Sequence, residues 1–175
     1  PLPAMTDSLR KLESCGAECL VMPCNTAHYF LPQLQSLTKV PFLSMLQATA
    51  AACRDQFPDA VAGVLATRGT LKAGLYQQAL EDAGVPFLIP EEEEQDALMR
   101  VIYDGVKAGK GPEVYGADMN AVVEALGRRG AGYFILGCTE LPLAAEQMGL
   151  TAPTVDPTEE LAKAAIRFCG YQVRE

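Results

Sequence analysis

Apolar positions recur along this chain at two spacings, and the spacings alternate. Met5, Leu9 and Leu12 fall three or four apart, as on one face of a helix, and Gly16 follows where a helix end favours a left-handed residue. Cys19 to Met22 is a short apolar run and predicts a strand. Asn25 or Thr26 is placed to cap the next segment, where Tyr29, Phe30, Leu34 and Leu37 predict a helix bent near Pro32. Val40 to Leu43 predicts a second strand, and Ser44 to Phe57 an Ala-rich helix that stops before Pro58. Ala60 to Ala66 is a third strand, running into Thr67-Arg68-Gly69-Thr70, a small glycine-containing turn of the kind whose amides can face an anion. Leu71 to Ala83 then reads as helix closed by Gly84, and Val85 to Ile89 as strand. Glu91 to Glu94 suits the first turn of a helix expected to reach Lys107. Ala108 to Gly116 is expected as loop, Ala117 to Arg129 as helix, and Gly132 to Leu136 as strand. Leu141 to Met148 predicts a helix, Ala152 to Val155 a last strand, and Thr158 to Gly170 a closing helix.

Strands alternating with helices predict an α/β fold with parallel sheets flanked by helices. In such sheets ligands bind beyond the carboxyl ends of the strands. Cys24, Thr67 and Cys138 all fall at predicted strand ends.

The chain also repeats itself. Shifted by 114 positions, the interval from Cys24 to Cys138, Leu12 falls on Leu126, Gly16 on Gly130 and Ala17 on Ala131. Leu20-Val21-Met22 falls on Phe134-Ile135-Leu136. Each copy reads as helix, Gly-Ala turn, buried strand, cysteine, then a small polar residue. The expected architecture is two pseudo-symmetric lobes with a cleft between them. Residues 1–46 with 151–175 would form one lobe and 47–150 the other.

Composition narrows the function. The 175 residues carry 14 basic and 22 acidic side chains, a net charge of −8. That surface disfavours nucleic acid and anionic membrane. No apolar run approaches a membrane span, and the first thirty residues show no basic region followed by an apolar one. Six cysteines in a chain of this size are read as reduced thiols in a cytoplasmic protein. Cys15 and Cys19 lack a second ligand pair, so no metal site is expected, and Cys15, Cys19, Cys53 and Cys169 are read as small buried hydrophobes.

Two thiols at equivalent strand ends suit one reaction. A helix N-terminus beyond each would lower the thiol pKa from about 8.5. One thiolate could take a proton from one face of a carbon acid while the other thiol returns one to the opposite face. Such a two-base scheme needs no cofactor, but it needs donors and a cation to stabilise the carbanion. A disulfide between Cys24 and Cys138 is the alternative use of the pair.

Met22-Pro23-Cys24-Asn25-Thr26-Ala27-His28 and Gly137-Cys138-Thr139-Glu140-Leu141 resemble the paired signatures of the aspartate/glutamate racemase superfamily. The resemblance extends through Ala66 to Thr70 and Ile102 to Gly109. Glu140 stands where glutamate racemases carry histidine, which resembles the aspartate and broad-specificity racemase branch. The resemblance implies that Cys24 and Cys138 are the catalytic bases and that no cofactor is used. It implies that Asn25, Thr26 and Thr139 hold the substrate carboxylate and that Thr67 contacts the substrate. Lys107 would pair with a substrate carboxylate, or else is a solvated lysine. Glu140 would orient Cys138, or else is a helix N-terminal acid. His28 is either a second layer behind Cys24 or a structural histidine. The implied partners are a small amino-acid substrate and a second copy in a homodimer. Maleate isomerase-like or decarboxylase chemistry on the same scaffold, and a non-catalytic amino-acid-binding module, are the rival expectations. The family's N-terminal Gly-Gly-Met-Gly-Pro turn and arginine loop have no match, so the segment is expected to be either truncated or outside this sequence.

Overall fold

The computed structural model describes residues 1–174. Two parallel sheets organise it. The smaller pairs β1 (Leu20–Val21) with β2 (Phe42–Leu43). The larger has four strands in the order β4 (Phe87–Leu88), β3 (Val61–Ala66), β5 (Ala131–Gly137), β6 (Thr154–Val155). No helix among the described residues is long and apolar enough to cross a membrane.

The central strands β3 and β5 are almost wholly buried because helices cover both faces, so their apolar runs are continuous. Alternate residues still separate. Ala62, Val64, Ala66, Tyr133 and Ile135 face one core with Leu46, Ala50 and Cys53 of α3 (Met45–Gln56) and Tyr76 and Leu80 of α5 (Leu75–Ala83). Leu65, Phe134 and Leu136 face the other, with Leu98 of α6 (Glu92–Arg100), Met119 and Leu126 of α7 (Pro112–Arg128) and Leu141 of α8 (Leu141–Met148). A third, small cluster joins Leu9 of α1 (Leu2–Ser14) to Leu20 of β1 and Leu34 of α2 (Leu31–Gln35).

The internal repeat survives as geometry. Gly16 and Gly130 both close their helices with positive φ, 81° and 109°. Leu20 donates its N–H to the Pro41 carbonyl at 2.9 Å, and Phe134 donates to Pro153 at 2.9 Å. Thus β1 pairs with β2 as β5 pairs with β6. This pairing alters the expected lobe boundary: Thr154 and Val155 belong to the four-stranded sheet rather than to the first lobe. The closing helix α9 (Pro157–Phe168) packs mainly on α3, all but the first two of whose residues fall outside 1–46.

Other differences have local causes. The helix expected over Leu71 to Ala83 is broken by Gly74 (φ 67°) into α4 (Arg68–Lys72) and α5. Pro112 starts α7 inside the segment expected as loop, because proline at a first helical position loses no hydrogen bond. The acidic run does begin a helix, with Glu91 and Glu94 forming a capping box. Leu12, expected on a buried face, is 49% exposed. Only Cys53 of the four cysteines read as buried hydrophobes is buried; Cys15 and Cys169 are exposed and Cys19 is half-buried.

Truncating Ile135, fully buried on β5, to alanine is expected to lower the unfolding free energy by about 2–5 kcal/mol, read from chemical denaturation.

Candidate active site

Parallel register decides what meets at the ends of the large sheet. Leu65 pairs with Leu136 and Ala66 with Gly137, so the two central strands finish level. The next residues, Thr67 and Cys138, therefore emerge side by side. Cys24 arrives from the small sheet, three residues beyond the end of β1. Both cysteines leave their strands through one tight turn: the Cys24 N–H donates to the Met22 carbonyl at 2.8 Å, and the Cys138 N–H to the Leu136 carbonyl at 2.9 Å.

A cavity of about 410 Å³ lies between them. Cys24, Asn25 and Thr26 line it from the small sheet, and Thr67, Cys138, Thr139, Glu140 and Lys107 line it from the large one. Eight of the nine residues singled out from the sequence therefore share one space. The ninth, His28, lies behind it. The Met45 N–H donates to its Nε2 at 3.0 Å, so Nε2 carries no proton and Nδ1–H donates to the Cys24 carbonyl at 2.9 Å. This histidine is both a support for the Cys24 turn and a structural tie to α3. Burial holds its pKa below the ordinary value, against the opposing bond to Cys24.

The expected cap does not form: Asn25 heads a 3₁₀ turn, Thr26–Phe30, without a capping bond. Asn25 instead accepts from Tyr76 Oη at 2.6 Å. Thr26 Oγ1 lies 3.1 Å from Thr67 Oγ1 and 2.7 Å from Thr70 Oγ1, and those two are 2.9 Å apart. The three hydroxyls close a ring that ties the small sheet to the large one.

The expected lowering of the thiol pKa does not hold at Cys138. Burial, then the bond to Glu140 and its charge, push the Cys138 thiol up to about 12, with Lys107 opposing. Its Sγ donates to Glu140 Oε2 at 2.8 Å, an oxygen that Thr139 Oγ1 reaches at 3.1 Å. Glu140 Oε1 is 3.6 Å from Lys107 Nζ. Burial pushes the Glu140 carboxyl up, but the thiol, its own N–H, Lys107 and Thr139 outweigh it and hold the group below its ordinary value. Cys138 thus rests as a proton donor, while Cys24 is exposed.

Lys107 reaches the cavity through a departure from α-helix. The helix from Glu92 widens into a π turn over Val101–Val106, where the Lys107 N–H reaches back to the Ile102 carbonyl at 3.0 Å. Tyr103 and Met99 line the cavity with it, and Lys107 Nζ sits 4.4 Å from the Tyr103 ring centre. The sequence reading missed Met99, Tyr103 and Thr70. The first two stand at intervals of four before Lys107, a helical stripe that was available as a signal.

The fold is a parallel α/β one in which two strand-end thiols line one cavity. Residues 1–165 match the Asp/Glu/Hydantoin racemase family model, and the chain belongs to that family. A broad-specificity amino-acid racemase of Bacillus subtilis is 27% identical over 170 residues, covering 97% of this chain and 73% of that protein. A glutamate racemase of Deinococcus radiodurans is 32% identical over 159 residues, 85% of this chain but only 52% of that one. Among solved structures, the aspartate racemase of Picrophilus torridus superposes with a TM-score of 0.82 at 28% identity, covering 98% of this chain and 71% of that one. These relatives are racemases, and the protein stands with them among the isomerases.

Two titrations follow. Glu140→Gln leaves Cys138 buried but removes the carboxylate that also holds its proton, so alkylation of that thiol by iodoacetamide is expected to begin at lower pH than in the parent. His28 is neutral when folded and titrates near 6.5 when unfolded. The unfolded state therefore binds the extra proton, and the contribution of His28 to stability is lost as pH falls below about 6.5, levelling off below its folded pKa. Melting curves between pH 7.5 and 5 are expected to fall less steeply for His28→Gln than for the parent.

Proposed function

We propose that the protein racemises a small amino acid, aspartate, glutamate or a relative, by proton transfer between Cys24 and Cys138. The observation that carries this is the pair of repeat-related cysteines lining one cavity from two different sheets.

The proton balance is simple. Cys24 as thiolate takes the Cα proton, breaking C–H and forming S–H. The Cys138 thiol gives its proton to the opposite face, breaking S–H and forming C–H. The product has the inverted configuration, and the two sulfurs have exchanged protonation states. The reverse sense needs Cys138 as thiolate and Cys24 as thiol, the state in which the forward transfer leaves the two sulfurs. Between the two transfers negative charge spreads into the substrate carboxylate. Asn25, Thr26, Thr67 and Thr139 supply donors there, and Lys107 the cation. The resemblance supports a cytoplasmic homodimer that works without pyridoxal phosphate or metal.

In deuterium oxide the parent is expected to exchange the Cα hydrogen of aspartate or glutamate and to erase its optical rotation, with or without EDTA. Cys24→Ala and Cys138→Ala should each lower racemisation by roughly 10³-fold or more. Single-face exchange can survive in one of them. If both variants racemise at the parental rate, the two-base assignment fails. Binding without exchange favours the amino-acid-binding module.

A further inference from the structure

Tyr76 stands outside the set of residues that the sequence brought forward, yet it touches both cysteine loops. It is the second residue of α5, just past the turn at Gly74, and is fully buried. Its Oη donates to Asn25 Oδ1 at 2.6 Å, one residue beyond Cys24. Its ring lies against Gly137, one residue before Cys138: a Cβ at that position would come within 2.8 Å of Tyr76 Cε2. One rigid side chain therefore spans from the first catalytic turn to the second.

The direction of the Asn25 bond has a chemical consequence. A buried phenol keeps its proton, and burial pushes the Tyr76 pKa well above the ordinary value. The hydroxyl keeps a proton to donate, and it donates to the Asn25 oxygen, which turns that oxygen towards the phenol. The amide nitrogen is then left for the cavity that Asn25 lines, and no protein acceptor meets it among the described residues. Turned the other way, the amide would present an oxygen to an anionic substrate and two N–H groups to a phenol O–H. The difference at the cavity is between a donor and a repelling acceptor.

We propose that Tyr76 is a positioning residue of the reaction. It orients Asn25 so that its N–H groups face the substrate carboxylate, and its ring sets the spacing between the Cys24 and Cys138 turns. The proposal rests on the racemase reading above. It concerns a residue that binds no substrate itself and acts through the two loops it touches.

Tyr76→Phe keeps the ring against Gly137 and removes only the hydroxyl. With aspartate or glutamate as substrate, kcat/KM is expected to fall roughly 10- to 100-fold, as misplacement of a binding group does. Asn25→Ala should lose as much or more. The decisive reading is the double variant. If Tyr76 acts through Asn25, Tyr76→Phe costs nothing further in the Asn25→Ala background. Losses that add, or a Tyr76→Phe protein with the parental kcat/KM, overturn the proposal. Should Tyr76→Phe fail to fold, Asn25→Asp carries the test. It still accepts from the phenol but has no N–H to present, and activity within twofold of the parent overturns the proposal. A parent that exchanges no Cα hydrogen overturns the racemase reading and this proposal with it. An active parent with an unaffected Tyr76→Phe overturns this proposal alone.

Discussion

The pairing of β3 with β5 is the constraint on which the site depends. Both strands are buried on both faces, so each residue must find its own core. A slip of one residue would send Ala62, Val64 and Ala66 into the space shaped for Leu65, and Phe134 into the place of Tyr133. The register is therefore held by all the packing on either side of the sheet. It ends both strands at one level and leaves Thr67 beside Cys138. The close approach also requires glycine at 137, where a Cβ would stand 2.9 Å from the Leu65 carbonyl oxygen.

The small sheet contributes little packing by comparison, and its attachment is polar. Asn25 to Tyr76, Thr26 to Thr67 and Thr70, and His28 to Met45 tie it to the large sheet and to α3. All three ties involve residues within four positions of Cys24. Those buried bonds both join the two parts of the molecule and shape the cavity. A change that loosens one would alter stability and site geometry together, which is the usual character of a buried polar network.

The two thiols share a backbone turn and differ in surroundings. Cys24 is exposed, while Cys138 is buried and bonded to a carboxylate. Sequence symmetry made two equivalent thiols; the neighbours made one of them a resting donor. Lys107, the one cation among the cavity's lining residues, is held near Glu140 in a protein of net charge −8. It offers a local attraction for an anionic substrate that the overall charge would repel.

The order of strands and helices, the repeat, and the strand-end position of both cysteines were all legible in the sequence. Each is a local property: an apolar run, a glycine after a helix, a motif at a fixed interval. Seven of the nine expected site residues meet at one cavity because they follow strand ends, which converge by rule in parallel sheets. The protonation state of Cys138 was not legible. It depends on burial and on Glu140, whose side chain turns to the sulfur instead of to the helix end. Tyr76 and Thr70 were not legible either, since their partners lie 51 and 44 residues away in the chain. The π turn that delivers Lys107 was also hidden, because Gly105 yields there to Tyr115 of another helix. Spacing along the chain reveals what each segment can become. Which polar atoms share a buried space, and so who holds the proton, is decided only when the segments pack.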